Sequence, residues 1–125
     1  MGKIHVISVR PGRLACDLWV DDCLESYKDL LDGGFMETVR IFQDDNILLV
    51  CDDEGILKNL PLNREIFSNT AGNGPFLIFG PFFLVAYDGP EFTSIPNDKI
   101  DRLLDLFNIR AGRGDTVHLD RRVIP

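Results

Sequence analysis

Alternating apolar and polar positions near the N-terminus predict a β-hairpin. Residues 3–9 and 13–20 each alternate like a strand with one buried face. Residues 10–12 (Arg-Pro-Gly) separate them and have turn chemistry, because proline restricts φ and glycine accepts a positive φ. The buried face of the second strand is expected to consist of Leu14, Cys16, Leu18 and Val20.

Two segments have apolar residues at helical spacing. The first, residues 22–32, is expected to start at a cap formed by Asp21 or Asp22 and to stop at the glycine pair 33–34. The second covers residues 97–107. Their apolar stripes are Leu24, Tyr27, Leu30 and Leu31, then Ile100, Leu103, Leu104 and Phe107. Both stripes should face a sheet, because helices this short do not persist alone in water.

The remaining apolar segments predict further strands. Residues 35–42 alternate, and residues 47–51 form an apolar run between two acidic turns. Residues 76–79 and 82–86 are continuously apolar, which indicates burial on both faces. Residues 61–67 are expected to form a short helix. The order of these elements predicts an α+β fold, with a mostly antiparallel sheet and two principal helices.

Composition places the chain among globular, single-domain proteins. Its 125 residues are 45% hydrophobic and 26% charged, which provides material for one core and argues against global disorder. No apolar run approaches the roughly 20 residues of a membrane span, and the N-terminus lacks the apolar block of a signal peptide. The three cysteines, Cys16, Cys23 and Cys51, form no Cys-x-x-Cys pair. We therefore expect a cytoplasmic protein that does not enter a membrane.

Charge is unevenly distributed along the chain. The net charge is −7, which argues against general nucleic-acid binding because phosphate neutralisation requires Lys and Arg. Residues 109–125 nevertheless hold four of the 13 basic residues and two of the 20 acidic ones. We therefore expect a single domain over residues 1–107, followed at 108–125 by an arginine-bearing tail or an edge strand.

Residues suited to catalysis or metal binding do not form a recognisable constellation. The chain has two histidines, His5 and His118, and nothing in the sequence places either beside a cysteine. The acidic groups at 44–45 and 52–54 lack the spacing of a calcium-binding loop and are more typical of turns. The sequence therefore predicts a protein that is not an enzyme and that has no metal or cofactor.

The strongest candidate for ligand binding is a short polar set in the middle of the chain. Asn63 and Arg64 combine amide and guanidinium donors, which can orient a phosphate or carboxylate at the start of the predicted helix. In the alternative interpretation, Asn63 caps a turn and Arg64 pairs with a nearby acid. The loop at 71–75 could also present backbone N–H groups to an anion. The candidate ligand-binding residues are Lys58, Asn59, Asn63, Arg64 and Gly72.

Several motifs together resemble one protein family. They are Gly-Gly-aromatic-x-Glu at 33–37, Asp-Glu-Gly at 53–55, Leu-Pro-x-Asn-Arg at 60–64 and Ala-Gly at 71–72. This order is similar to that of a domain of unknown function found in small proteins of bacteriophages and mobile elements, and the resemblance covers residues 1–107. The chain departs from the pattern at 73–75, at 81–83 and in its tail. The resemblance implies a phage or plasmid context and no established activity.

These observations lead to two functional hypotheses. The first is a non-enzymatic binding protein that sequesters a small anionic signal, such as a nucleotide, in counter-defence. The alternative is an acidic protein-interaction module that blocks a host enzyme. A homodimer is also expected, because covering two continuously apolar strands takes more surface than two short helices provide. In the alternative interpretation, residues 113–123 fold back on the sheet of their own chain and close the monomer.

Overall fold

The computed structural model describes residues 2–42, 46–67 and 76–108, together with the backbone of 116–118. Two helices are present in this part of the chain, α1 (Leu24–Leu30) and α2 (Asn97–Phe107). The strands are β1 (Lys3–Val9), β2 (Cys16–Asp21), β3 (Met36–Val39), β4 (Ile47–Asp52), β5 (Leu62–Phe67), β6 (Phe76–Phe79), β7 (Phe82–Asp88), β8 (Glu91–Thr93) and β9 (Thr116–His118).

The strands form two sheets. The larger has the order β2-β1-β7-β4-β3, with β8 paired to β7, and all of its pairs are antiparallel. The smaller has the order β6-β5-β9, in which β5 pairs antiparallel with β6 and parallel with β9. The predicted α+β fold with a mostly antiparallel sheet is therefore confirmed. β9, which lies within the segment 108–125, pairs with β5 of the same chain.

Strand β7 lies in the middle of the larger sheet and is covered on both faces. Phe82 and Leu84 join a core that includes residues of the smaller sheet and α2. Phe83 and Val85 point to the opposite face and pack in a second core with α1. The continuous apolar run of this strand therefore reflects burial on two faces, as the sequence predicted. The same prediction is wrong for residues 76–79, because β6 is an edge strand of the smaller sheet and its Leu77 is 45% exposed.

The two helices match their predictions to different degrees. α2 has the predicted bounds, and Leu103 and Phe107 of its stripe are fully buried. α1 is shorter than the predicted 22–32, and its N-cap residue, Cys23, makes no side-chain cap hydrogen bond. Asp22 does not cap the helix but accepts a hydrogen bond from the Tyr27 hydroxyl. Leu24, predicted to be buried, is 59% exposed, whereas Tyr27 and Leu30 of the same stripe are buried.

Two local predictions were wrong. Residues 61–67 do not form a helix: β5 occupies Leu62–Phe67, because its backbone groups pair with β6 on one side and β9 on the other. The second strand of the hairpin starts at Cys16, and Leu14 and Cys16 are exposed rather than buried. β2 is the outermost strand of its sheet, so its side chains have fewer neighbours to cover them.

Candidate functional site

Arg64 connects separate segments of the fold and is not open to an external anion. Its side chain is fully buried, and hydrogen bonds engage all five of its N–H groups. Nε and Nη2 donate to the Phe107 carbonyl at 3.1 and 2.9 Å, at the C-terminal end of α2. Nη2 also donates to the Arg13 carbonyl at 2.8 Å, and Nη1 donates to the backbone and side-chain oxygens of Asn63 at 3.1 and 2.7 Å. Arg64 thus ties β5 to the end of α2 and to the hairpin.

Asn63 has a similar role. Its side-chain amide donates to the Val9 carbonyl at 2.9 Å and to the Gly80 carbonyl at 2.8 Å, and the residue is fully buried. Asn63 and Arg64 therefore hold backbone on both sides of the turn between β1 and β2, one at Val9 and the other at Arg13. They position the hairpin, and neither side chain is exposed to an external ligand.

The other sequence candidates lie elsewhere. Lys58 Nζ is 2.8 Å from Asp52 Oδ2, and Asn59 is an exposed turn residue with a φ of 60°. Gly72 lies outside the described residues. The structure therefore does not bring Lys58 and Asn59 together with Asn63 and Arg64 in one pocket.

Asp52 is a buried carboxylate that organises the turn in which Lys58 lies. It accepts hydrogen bonds from Lys58, from the Glu54 N–H at 2.9 Å and from the Phe35 N–H at 3.3 Å. Burial alone would raise the pKa of Asp52, but these hydrogen bonds and the Lys58 charge together lower it below the usual value. Asp52 is therefore a charged anchor for the turn.

The glycines of the motifs permit close backbone approaches. A Cβ on Gly34 would lie 2.5 Å from the carboxyl carbon of Asp52. A Cβ on Gly55 would lie 2.5 Å from the Phe79 carbonyl oxygen, where the turn touches β6. Both distances are shorter than a carbon atom tolerates. Gly34, Gly55, Asn63 and Arg64 are therefore motif residues that hold backbone segments of the domain together.

A cleft of about 620 Å³ opens on the face of the hairpin that lies beside α1. We call it the hairpin cleft. Its polar lining comes from β1 and the segment between β1 and β2, and its apolar lining comes from that segment, β2 and α1. The lining residues are Ser8, Arg10, Gly12, Arg13, Leu14, Cys16, Leu18 and Leu30.

Two arginines give the hairpin cleft its positive charge. Arg10 Nη1 and Nη2 each lie 3.1 Å from a carboxyl oxygen of Asp32, in a bidentate pair. The hydrogen bond that Arg10 donates to Asp32 is the main reason why the pKa of Arg10 is raised. Arg13 is exposed and makes no ion pair with any residue that the structure describes. The cleft therefore has one guanidinium that is available and one that is held by a surface carboxylate.

The sequence pattern placed Arg10 in the turn at 10–12 and Arg13 at the start of the strand 13–20, and it did not indicate a cleft between them. The signal was present: Arg10 and Arg13 flank the Pro-Gly pair in a chain whose net charge is −7. What the sequence did not indicate is that Leu30 of α1 lies opposite them and completes the cleft.

The profile of a family described as Domain of unknown function (DUF3846) matches residues 4–108. The chain belongs to this family. Comparison of this chain with the curated proteins and with the solved structures found no match. The DUF3846 region contains both helices, the motif residues and the hairpin cleft, and it ends at Asn108, directly after α2.

The DUF3846 domain has a second cleft, of about 440 Å³, which we call the acidic cleft. It lies where β3 and β4 of the larger sheet, the turn at 53–57 and β6 of the smaller sheet meet. Burial, and then the nearby carboxylates of Glu37, Asp52 and Asp53, raise the pKa of the Cys51 thiol to about 12. The lining residues are Glu37, Cys51, Asp52, Asp53, Gly55, Ile56, Leu57, Phe76, Leu77, Ile78 and Phe79.

The described part of the DUF3846 domain offers few other groups suited to catalysis or metal binding. His5 Nε2 lies 2.7 Å from Asp17 Oδ2, and its ring stacks on Trp19 with 4.5 Å between centroids. Across residues 2–42, 46–67 and 76–108, no three His, Cys, Asp or Glu side chains are grouped to hold a metal ion. Neither α1 nor α2 is long and apolar enough to span a bilayer.

Proposed function

We propose that this DUF3846 domain is a non-enzymatic binding protein that captures a small anionic ligand of the nucleotide class in the hairpin cleft. The observation that carries the proposal is the pairing of two guanidinium groups with an apolar wall in one cleft. Asn63 and Arg64, the sequence candidates, then serve the site indirectly, because they hold the backbone at Val9 and Arg13.

The size and lining of the hairpin cleft suit such a ligand. Small-molecule sites are typically about 300–1,000 Å³, mostly apolar, with a few polar groups that orient the ligand. Leu14, Leu18 and Leu30 offer an apolar surface for a base, while Arg10 and Arg13 offer planar donors for phosphate oxygens. An anion is favoured over a neutral ligand because each guanidinium bond to it is charge-assisted.

Asp32 competes with the ligand for Arg10. The Arg10 side chain is 41% exposed and the Asp32 side chain 61% exposed, so their pair resembles surface ion pairs that contribute about 0–1 kcal/mol. A phosphate with two negative charges can displace such a carboxylate. Asp32 also has a φ of 55°, which asparagine tolerates, so Asp32→Asn removes the competitor and preserves the turn.

The test is calorimetric titration of the full chain with nucleoside mono-, di- and triphosphates and with cyclic dinucleotides. Arg10→Gln and Arg13→Gln should each weaken the best ligand by about 10- to 100-fold, the range expected for loss of a charge-assisted hydrogen bond. Asp32→Asn should tighten it, and added salt should weaken it. Lys3→Gln, at the far end of β1, is the matched control and should change nothing.

Cysteine alkylation gives an independent readout of the same site. Cys16 is exposed in the hairpin cleft, whereas Cys51 is buried with a raised pKa, so iodoacetamide should modify Cys16 faster than Cys51. Bound ligand should slow the modification of Cys16. If no nucleotide binds, or if binding survives Arg13→Gln and leaves Cys16 unprotected, the proposal is wrong.

The biological setting is part of the proposal. The resemblance to bacteriophage and mobile-element proteins suggests a role in counter-defence. In that setting, a stoichiometric binder that lowers the free concentration of a nucleotide signal needs no catalytic group.

A further inference from the structure

The acidic cleft lies between strands with unpaired outer edges. β3 is the last strand of the larger sheet and β6 is the last strand of the smaller sheet. In the part of the chain that the structure describes, no strand pairs with the outer side of either one. Both strands contribute residues to the cleft, and their edges offer backbone N–H and C=O groups of the kind that accept an added strand.

The turn at 53–57 places large aliphatic side chains in solvent at this cleft. Ile56 is 71% exposed, Leu57 is 83% exposed, and the neighbouring Leu77 of β6 is 45% exposed. The turn is held firmly, since Gly55 packs on the Phe79 carbonyl and accepts the Leu60 N–H at 3.0 Å. A preorganised apolar turn of this kind loses little entropy when a partner covers it.

The charge of the cleft specifies the partner. Glu37 and Asp53 are exposed carboxylates on its wall. Lys58 does not neutralise them, because its ammonium is bound to Asp52. The raised pKa of Cys51, due first to burial and then to Glu37, Asp52 and Asp53, is consistent with a negative potential inside the cleft. Anions are therefore repelled, and a basic segment is attracted.

We propose that the acidic cleft binds an extended, basic segment of a partner protein, in which Lys or Arg alternates with aliphatic residues. The aliphatic side chains pack on Leu57 and Leu77, and the basic side chains pair with Glu37 and Asp53. Alternation follows from the two-residue period of a strand, which turns successive side chains to opposite sides. This surface is separate from the hairpin cleft and does not depend on ligand binding there.

The test is selection of a displayed random heptapeptide library against the full chain, with the enriched peptides resynthesised and titrated by fluorescence polarisation. Enriched peptides should alternate Lys or Arg with Val, Ile or Leu. Leu57→Asp and Asp53→Lys should each weaken their binding by at least about tenfold, in line with the loss of one packed or charged contact. Arg13→Gln should leave peptide binding unchanged, which separates this result from the proposed ligand site.

Two substitutions serve as matched controls, and three outcomes would overturn the proposal. Leu24→Asp alters another exposed leucine, 59% exposed on α1, and Asp101→Lys reverses an exposed charge on α2, so both variants should bind the peptides normally. Absence of enrichment, or a consensus without basic residues, would overturn the proposal. A dimer in light scattering that Leu57→Asp dissociates would overturn it too, because the occupant would then be a second copy of the chain.

Discussion

At the scale of single residues, the most informative side chain is Arg64. A fully buried guanidinium is costly unless each of its donors is satisfied. Here the acceptors come from a neighbouring residue, from the hairpin and from the end of α2, where the partial negative charge of the helix terminus also favours a cation. One residue therefore determines how three separate parts of the chain meet.

Arg64→Met should lower the free energy of unfolding by about 3 kcal/mol or more. The substitution leaves the buried carbonyls of Phe107 and Arg13 without their donors, and each such loss costs about 1–3 kcal/mol. Urea denaturation measures the change. Arg13→Met, at an exposed position beside the turn, is the control and should cost less than about 1 kcal/mol. Equal effects of the two substitutions would contradict the structural role of Arg64.

Asp52 should make stability depend on acidic pH. Its folded pKa is lowered, so its contribution is complete above the unfolded value of about 4 and is lost as the pH falls through the folded pKa. We expect Asp52→Asn to be less stable than the wild type at pH 7 and to lose less stability between about pH 4 and pH 2. Urea denaturation across this range checks both statements. Asp101→Asn, on the solvent side of α2, should follow the wild-type curve.

At the scale of elements, the packing of α2 unites the two sheets. The helix places Ile100, Leu103 and Phe107 in the core that the larger and smaller sheets share. The ring of Phe107 meets those of Phe42 and Phe82, at centroid distances of 6.5 and 5.9 Å. α2 therefore does more than cover a sheet surface: its last turn supplies both an aromatic contact and the carbonyl that Arg64 binds.

Leu103→Ala should destabilise the protein by about 2–5 kcal/mol, because it removes fully buried methyl groups and leaves a cavity. Leu24→Ala in α1 removes the same atoms from a side chain that is 59% exposed and should cost less than about 1 kcal/mol. Thermal unfolding of both variants checks the difference. A Leu24→Ala effect as large as that of Leu103→Ala would contradict the finding that Leu103 is buried in the core and Leu24 is not.

At the scale of the whole molecule, two clefts of opposite charge lie on a chain with a net charge of −7. The hairpin cleft is a basic region on an acidic molecule, so its positive charge attracts a small anion only at short range. The acidic cleft has the same sign as the molecule, so a basic segment is drawn toward it over a longer range, up to the screening length of about 8–10 Å. Added salt should therefore slow the association of a basic peptide with the acidic cleft more than it slows the association of an anion with the hairpin cleft.

The homodimer stays a prediction, but its original reason has changed. β7 is covered on both faces within one chain, so it does not need a second copy. An exposed apolar surface that a dimer could bury without covering the acidic cleft lies on the edge strand β2, where Trp19 is 56% exposed. Light scattering at micromolar concentration should then show twice the chain mass of 14.1 kDa, Trp19→Asp should reduce it to one chain, and Leu57→Asp should leave it unchanged. A single mass of 14.1 kDa for the wild type would contradict the dimer.

Sequence patterns alone determined the features that depend on neighbouring residues. The bounds of α2, the hairpin of β1 and β2 and the two-sided burial of β7 all follow from local periodicity and turn chemistry. Tertiary structure decided what residues 61–67 become and what Asn63 and Arg64 do. Arg64 binds an oxygen 43 positions away and Asn63 one 54 positions away, and β5 exists because of distant strands. No local pattern encodes such partners, because they are brought together only when the sheets and α2 pack.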